Sequence, residues 1–90
     1  MSDPLPVSTV SLVTSVVPVV VRQCITGTKG MPVRDVIRYL ERQCTHLLTS
    51  HGAYSRLAVE MQVKVGDLIE GLVRHELAEI VARQIEGAMP

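Results

Sequence analysis

The stretch Arg56–Leu77, RLAVEMQVKVGDLIEGLVRHEL, decides the fold class of this 90-residue chain. From Val65 onward its apolar residues recur at intervals of three and four, which is the spacing of one face of a helix. These residues, with the two that continue the pattern, are Val65, Leu68, Ile69, Leu72, Val73, Leu77, Ile80 and Val81. The glycines Gly66 and Gly71 would permit close approach of another helix, or alternatively Gly66 would mark a turn, and the apolar pattern predicts packed helices.

Two arrangements of this stretch are compatible with the pattern. In the first, Ser55 caps a short helix over 55–62, residues 62–64 form a turn, and a longer helix covers 65–86. In the second, one uninterrupted helix runs from Arg56 to Ile85. Both alternatives make the chain mainly α-helical, and they differ in whether two helices meet at an angle near residue 63.

The first arrangement, in which two helices meet at an angle near residue 63, resembles small nucleic-acid-binding modules. Those residues are Leu57, Ala58, Met61, Val63, Leu68, Ile69 and Leu72. The run resembles a helix-turn-helix unit and the helical N-terminal modules of bacterial translation initiation factor two. It is also similar to ribbon-helix-helix repressors, which form intertwined dimers. The resemblance covers residues 56–77 and implies a dimeric protein that binds nucleic acid.

The clearest single helix precedes this stretch, over residues 32–50. Pro32 suits its first turn, and Gly52 supplies a terminator. At about 100° per residue its apolar side chains share one arc of roughly 120°. They are Val33, Val36, Ile37, Leu40, Cys44, Leu47 and Leu48. We therefore expect a small bundle of about three helices over 31–90.

The outer side of this helix is basic. Arginines recur every four residues there, a spacing of one helical turn that can follow a phosphate backbone. Asp67 and Glu70, in the stretch 56–77, would be repelled by phosphates. The helix at 32–50 is therefore the better candidate for binding a phosphate backbone. The predicted nucleic-acid-binding residues are Arg34, Arg38, Arg42, His46, Lys64 and Arg74. The alternative interpretation is a solvated helix face.

Charge and composition narrow the class of partner. Nine basic and nine acidic residues give no net charge, so the whole chain is not a general polyanion binder. The charges are segregated, however: six basic against three acidic residues up to Arg56, and three against six from Leu57 onward. There is no Phe or Trp, so the core must be built from aliphatic side chains.

The first thirty residues are predicted to form an arm beside the helical domain 31–90. Val16–Cys24 is rich enough in β-branched residues for an edge strand, and a short helix that begins at Pro18 and ends before Gly27 is the alternative. The run TGTKG at 26–30 is expected to be a turn or linker.

The apolar segment Val7–Val21 falls short of the roughly 20 residues that span a bilayer, and Pro18 interrupts it. No basic residue precedes it, unlike the start of a signal peptide. Cys24 and Cys44 form no CxxC pair, which favours a reducing compartment. We therefore expect a protein of the cytoplasm or nucleus that has no membrane partner.

Catalytic and metal-binding patterns are missing from the sequence. It contains no glycine-rich phosphate loop, HExxH or GxSxG motif. Cys44 and His46 point apart on a helix, so they do not form a metal site with His51. We expect no enzymatic activity, no cofactor and no bound metal.

The long apolar seams predict a homodimer or a larger assembly. The expected interface residues are Val65, Leu68, Ile69, Leu72 and Val73. The sequence thus predicts a dimeric, non-enzymatic regulator that binds DNA or RNA through a basic helix. The alternative is a protein-interaction adaptor or assembly subunit whose apolar helices bind a partner.

Overall fold

The computed structural model describes residues 4–88, and helices account for almost all of them. The helices are α1 (Val7–Cys24), α2 (Val33–Thr49), the single-turn α3 (Gly52–Ser55) and α4 (Val59–Ala88). A short 3-10 helix, Ile25–Thr28, follows α1. No β-strand forms between residues 4 and 88. The prediction of a mainly α-helical small bundle is therefore confirmed.

The core is aliphatic and receives side chains from all three long helices. Its buried members are Val13, Val17, Val20 and Val21 of α1, Ile37, Leu40, Cys44 and Leu48 of α2, and Val65, Ile69 and Val73 of α4. On each helix they recur at intervals of three and four, so each helix turns one face inward. Since burying one such side chain stabilises a fold by roughly 1.5–3 kcal/mol, this shared seam holds the bundle together.

The strand predicted at Val16–Cys24 is wrong, because the whole segment from Val7 to Cys24 is helical. Burial explains how this β-branched run becomes a helix, since α1 places Val13, Val17, Val20 and Val21 in the core. Two of its hydroxyl groups are satisfied within the helix: Thr14 Oγ1 donates to the Val10 carbonyl at 2.7 Å, and Ser15 Oγ donates to the Ser11 carbonyl at 2.9 Å.

Pro18 lies inside α1, although the sequence suggested that a helix would begin there. A proline within a helix costs about 3 kcal/mol relative to alanine. Val17 and Val21 on either side of it have no exposed surface, and Val20 is almost fully buried. Three such burials outweigh the cost of the proline. The predicted arm over 1–30 is thus replaced, for the described residues, by a core helix.

The helix predicted at 32–50 is confirmed within one residue at each end. The Pro32 carbonyl accepts hydrogen bonds from the backbone N–H groups of Asp35 and Val36, at 2.9 and 3.0 Å, which closes the first turn. Two residues of its predicted apolar arc are not in the core, because Val33 is 72% exposed and Leu47 is 49% exposed.

The turn predicted at 62–64 is wrong, because α4 is continuous from Val59 to Ala88. The chain breaks earlier, at residues 56–58, between α3 and α4. Gln62, which was expected in the turn, lies in the first turns of α4, and its Nε2 donates to the Leu57 carbonyl at 3.2 Å. Ser55 ends α3 and donates to the Gly52 carbonyl at 3.1 Å rather than capping the next helix. The alternative of one long helix is the closer description.

Helices α2 and α4 run antiparallel. Val33 at the start of α2 lines one cleft with Val81 and Ile85 near the end of α4, whereas Glu41 lines another cleft with Glu70. A 30-residue helix is about 45 Å long, close to the 49 Å length of the fold. The last turns of α4 therefore extend past the first residue of α2.

The helical segment Val7–Thr28 contains 22 residues, and its mean hydropathy is 1.5. By length and composition alone it could cross a membrane, which corrects the sequence-based expectation that this region is too short. A core helix passes the same test, and α1 contributes Val13 and Val17 to the core. Localisation to the cytoplasm or nucleus stays a prediction.

Gly66 and Gly71 of α4 do not mark a close contact with another helix of the chain. A Cβ placed at Gly66 or at Gly71 would meet no atom within 4 Å, and both residues are exposed. The interpretation that they let another helix approach is therefore wrong. Gly30 has a different role, since its φ of 82° lies in the left-handed region that other residues rarely adopt.

Cys44 is fully buried in the core seam. Burial raises the pKa of its thiol to about 11 from an ordinary value of 9.0, and the neighbouring Cys24 and Glu41 contribute in the same direction. The thiol is therefore a small neutral core group and is not a nucleophile at neutral pH.

Replacing Gly71 by alanine should raise the free energy of unfolding by about 1 kcal/mol, because the methyl group meets open space and alanine favours the helix. Urea denaturation of both proteins measures the difference. Gly30→Ala is the control and should destabilise the fold, since its φ is positive. A loss of stability in Gly71→Ala would contradict the open surroundings of that position.

The free energy of unfolding should fall as the pH rises from about 9 to about 11. Below pH 9 the Cys44 thiol is protonated in both states; above it the unfolded state gains by ionising, while the folded thiol stays neutral up to a pKa of about 11. The loss approaches roughly 2–3 kcal/mol. Urea denaturation at pH 8 to 10.5 should show a shallower decline in Cys44→Ala, and equal slopes would refute the assignment.

Candidate binding surfaces

Three of the predicted nucleic-acid-binding residues form one exposed row. Arg34, Arg38 and Arg42 lie on the outer side of α2, and we call this row the basic ridge. Four residues of helix rise about 6 Å, so their Cα atoms follow one another at that spacing. The inner side of the same helix carries buried Leu40 and Cys44, which fix the ridge to the core.

Two clefts flank the basic ridge. The first has a volume of about 460 Å³ and is lined by Val33, Arg34, Ile37, Arg38, Glu41, Glu70 and Arg74. The second has a volume of about 270 Å³ and is lined by Met31, Asp35, Arg38, Tyr39 and Arg42. Carboxylates therefore lie beside the ridge on both sides, Glu41 and Glu70 in the first cleft and Asp35 in the second.

Glu41, in the first cleft, has a pKa raised above its ordinary value. Burial is the largest cause and the negative charge of Glu70 the second, while Arg74 and Arg38 act in the opposite direction. Arg74 is itself paired, since its Nη2 and Nε lie 3.1 and 3.2 Å from Glu70 Oε1. Arg74 thus adjoins the ridge with its charge largely offset by its own partner.

The ridge guanidinium groups have no such partner among residues 4–88. The ion pairs seen on α4 are Arg74 with Glu70, at 3.1 Å, and His75 with Glu79, at 3.9 Å. None of the three ridge arginines lies within 4.0 Å of a carboxylate of the described chain. They are exposed cations whose charge is available to a ligand.

The other two predicted residues differ in their position relative to the ridge. His46 is exposed one helical turn after Arg42, so it continues the line of the ridge, and it also lines a cleft of about 470 Å³ between α1 and α2. Lys64 is half-buried on α4, ten residues before Arg74, a distance of about 15 Å along the helix. The structure therefore places His46 in one row with the three ridge arginines and Arg74 beside that row, and it separates Lys64 from them.

The predicted dimer interface is wrong for its central residues. Val65, Ile69 and Val73 have at most 1% of their surface exposed, because they pack against α1 and α2 of their own chain. Leu68 and Leu72 are half-buried and pack against the same seam. A side chain without exposed surface cannot contribute to an interface of the folded chain.

A surface that the sequence did not single out lies farther along α4. This apolar groove has a volume of about 480 Å³ and is lined by Val33, Ile37, Arg74, Leu77, Ala78, Val81, Ala82 and Ile85. Val81 and Ile85 are 52% and 55% exposed. The available signal is the interval of three and four residues, which continues to Val81 beyond the predicted interface residues.

No group of three metal-ligating side chains comes together in the described part of the chain. Cys44 is in the core, His46 faces the α1–α2 cleft, and His51 lies in the turn after α2. The absence of enzymatic activity, cofactor and metal stays a prediction.

Ile69→Ala should lower the free energy of unfolding by about 2–5 kcal/mol, because it leaves a cavity in the core of the single chain. The loss should be the same at low and high protein concentration when it is measured by urea denaturation. Val63→Ala, which changes a 60% exposed residue on the same helix, is the control and should change stability little. If the free energy of unfolding fell only at low protein concentration, Ile69 would lie in an interface between chains and not in the core of one chain.

Comparisons of this chain with protein-family models, with curated proteins and with solved structures find no match.

Proposed function

We propose that the protein is a non-enzymatic, nucleic-acid-binding regulator that contacts phosphates through the basic ridge. The observation that supports this function is the row of three exposed guanidinium groups, one helical turn apart, without a carboxylate partner in the described chain. Guanidinium groups donate several hydrogen bonds in a fixed plane that suits phosphate oxygens. A nucleic-acid partner agrees with the expected location in the cytoplasm or nucleus.

The ridge sets the strength and kind of this binding. Three phosphate contacts on duplex DNA give a slope of log K against log salt of about −2.7. Raising the salt from 50 to 200 mM should then weaken binding roughly 40-fold. Asp35 and Glu41 beside the ridge oppose polyanions, so affinity of one chain is low and discrimination between base sequences is small.

The test is fluorescence anisotropy with labelled single- and double-stranded DNA and RNA, in a series of salt concentrations. The triple variant Arg34→Ala, Arg38→Ala and Arg42→Ala should lose binding. The matched control replaces three exposed arginines that lie off α2, namely Arg22, Arg56 and Arg83, and should keep most of it. Equal losses in the two triple variants would show that only overall charge matters and would refute the ridge.

Glu41, which lies in the cleft beside the ridge, allows a second experiment on the same proposal. Glu41→Gln removes a carboxylate from the cleft beside the ridge and should strengthen binding several-fold at pH 7. Circular dichroism checks that each variant keeps its helices. Absence of binding by the native chain to every nucleic acid at 50 mM salt would overturn the proposed function.

A second function, that of a protein-interaction adaptor or assembly subunit, is favoured by the apolar groove. Exposed contiguous apolar surface on a small domain marks interaction sites. Charged side chains are scarce in the groove lining, where Arg74 is the charged member, and such depletion is typical of the centre of an interface. The groove shares Val33, Ile37 and Arg74 with the cleft beside the basic ridge, but none of the three ridge arginines lines it, so variants of the ridge arginines and of Val81 test the two proposals separately.

A further inference from the structure

We infer that the apolar groove is occupied by the end of α4 from a second copy of the chain, so that two α4 helices pack antiparallel across a twofold axis. This inference rests on the second proposed function, that of an assembly subunit. It replaces the interface predicted from the sequence, whose central residues are in the core. The groove and the helix that fills it are formed by the same residues, as a symmetric dimer requires.

The shape of the groove matches the α4 end. Along α4, Leu77, Val81 and Ile85 form a row at intervals of four residues, and the small side chains Ala78 and Ala82 lie beside it. Small residues at this spacing let a second helix come close. A helix laid in the groove must carry an apolar row of the same length, and the α4 end of another copy carries it.

Symmetry of the row fixes the register. Leu77 and Ile85 lie four residues on either side of Val81, so an antiparallel copy centred there places Val81 against Val81 and Leu77 against Ile85 of the second copy. Val33 and Ile37 of α2 complete the wall of the groove. Each apolar side chain of the row then meets another apolar side chain, and none is left facing water.

Charge decides between the antiparallel and parallel orientations. Arg74 is the charged residue in the groove lining. In the antiparallel register it lies near residue 88 of the second copy, where the carbonyl groups of a helix C-terminus carry partial negative charge. In a parallel pair Arg74 would face Arg74 of the other chain. The ion pair with Glu70 of its own chain reduces both effects, but both favour the antiparallel pair.

The first experiment measures the mass of the full chain in solution by sedimentation equilibrium over about 1–200 μM. We expect twice the 9.9 kDa chain mass at the upper concentrations. Val81→Asp should raise the dissociation constant at least about 30-fold, since it places a carboxylate at the centre of the interface. The residue is 52% exposed in the single chain, so the helical content measured by circular dichroism should not change.

Val63→Asp is the matched control. It changes a 60% exposed valine on the same helix to the same residue, about 27 Å away from Val81. Dimerisation should be retained. A dimer that both variants disrupt equally, or that neither disrupts, would keep the assembly function but overturn the groove as its site. A native chain that stays monomeric to 200 μM would overturn self-assembly, and the groove would then serve a different protein.

Cross-linking tests the orientation. Val81→Cys should form a disulfide-linked dimer on mild oxidation, because the two residues 81 face each other. Ile85→Cys should not, since residues 85 of the two copies lie about 12 Å apart in the antiparallel register, beyond the reach of a disulfide. Val63→Cys reports the background, which includes any reaction of the native cysteines. Efficient cross-linking through Ile85→Cys would refute the antiparallel register.

Discussion

The structure depends on burial of one aliphatic seam shared by three helices. Because the chain has no Phe or Trp, no single large side chain can fill the core, and each helix must supply several valines, leucines or isoleucines. Val17, Leu40 and Ile69 show the result, since each has at most 1% of its surface exposed. The core therefore needs side chains from α1, the segment that the sequence predicts to be an arm, and α1 remains helical although Pro18 lies within it.

Packing in the same seam fixes the position of the basic ridge. Helix α2 has Leu40 and Cys44 in the core and Arg38 and Arg42 on the opposite side, so the packing that fixes one face also fixes the other. A polyanion that binds the ridge does not need to order the helix that carries it, and this lowers the entropic cost of binding. In the proposed function the nearby carboxylates would weaken the contact between the ridge and a polyanion.

The apolar groove arises from a difference in helix length. Helix α4 has 30 residues, whereas α2 has 17, and the two are antiparallel. At the end of α4 the apolar spacing continues, but Val33 and Ile37 of α2 cover only one side of that face, which leaves Val81 and Ile85 half exposed. In the proposed dimer a second α4 supplies that cover, and the two ridges belong to one assembly with twice the cationic surface.

The sequence by itself determined the helical class, the bounds of α2 within one residue and the row of arginines, because these follow from local periodicity. It did not determine the state of Val7–Cys24, whose β-branched residues suit a strand or a helix until they are packed. Tertiary structure also decided that Ile69 is in the core while Val81, with the same spacing, is exposed. Periodicity shows which side chains share a face, but only the lengths and contacts of neighbouring helices decide which part of that face is covered.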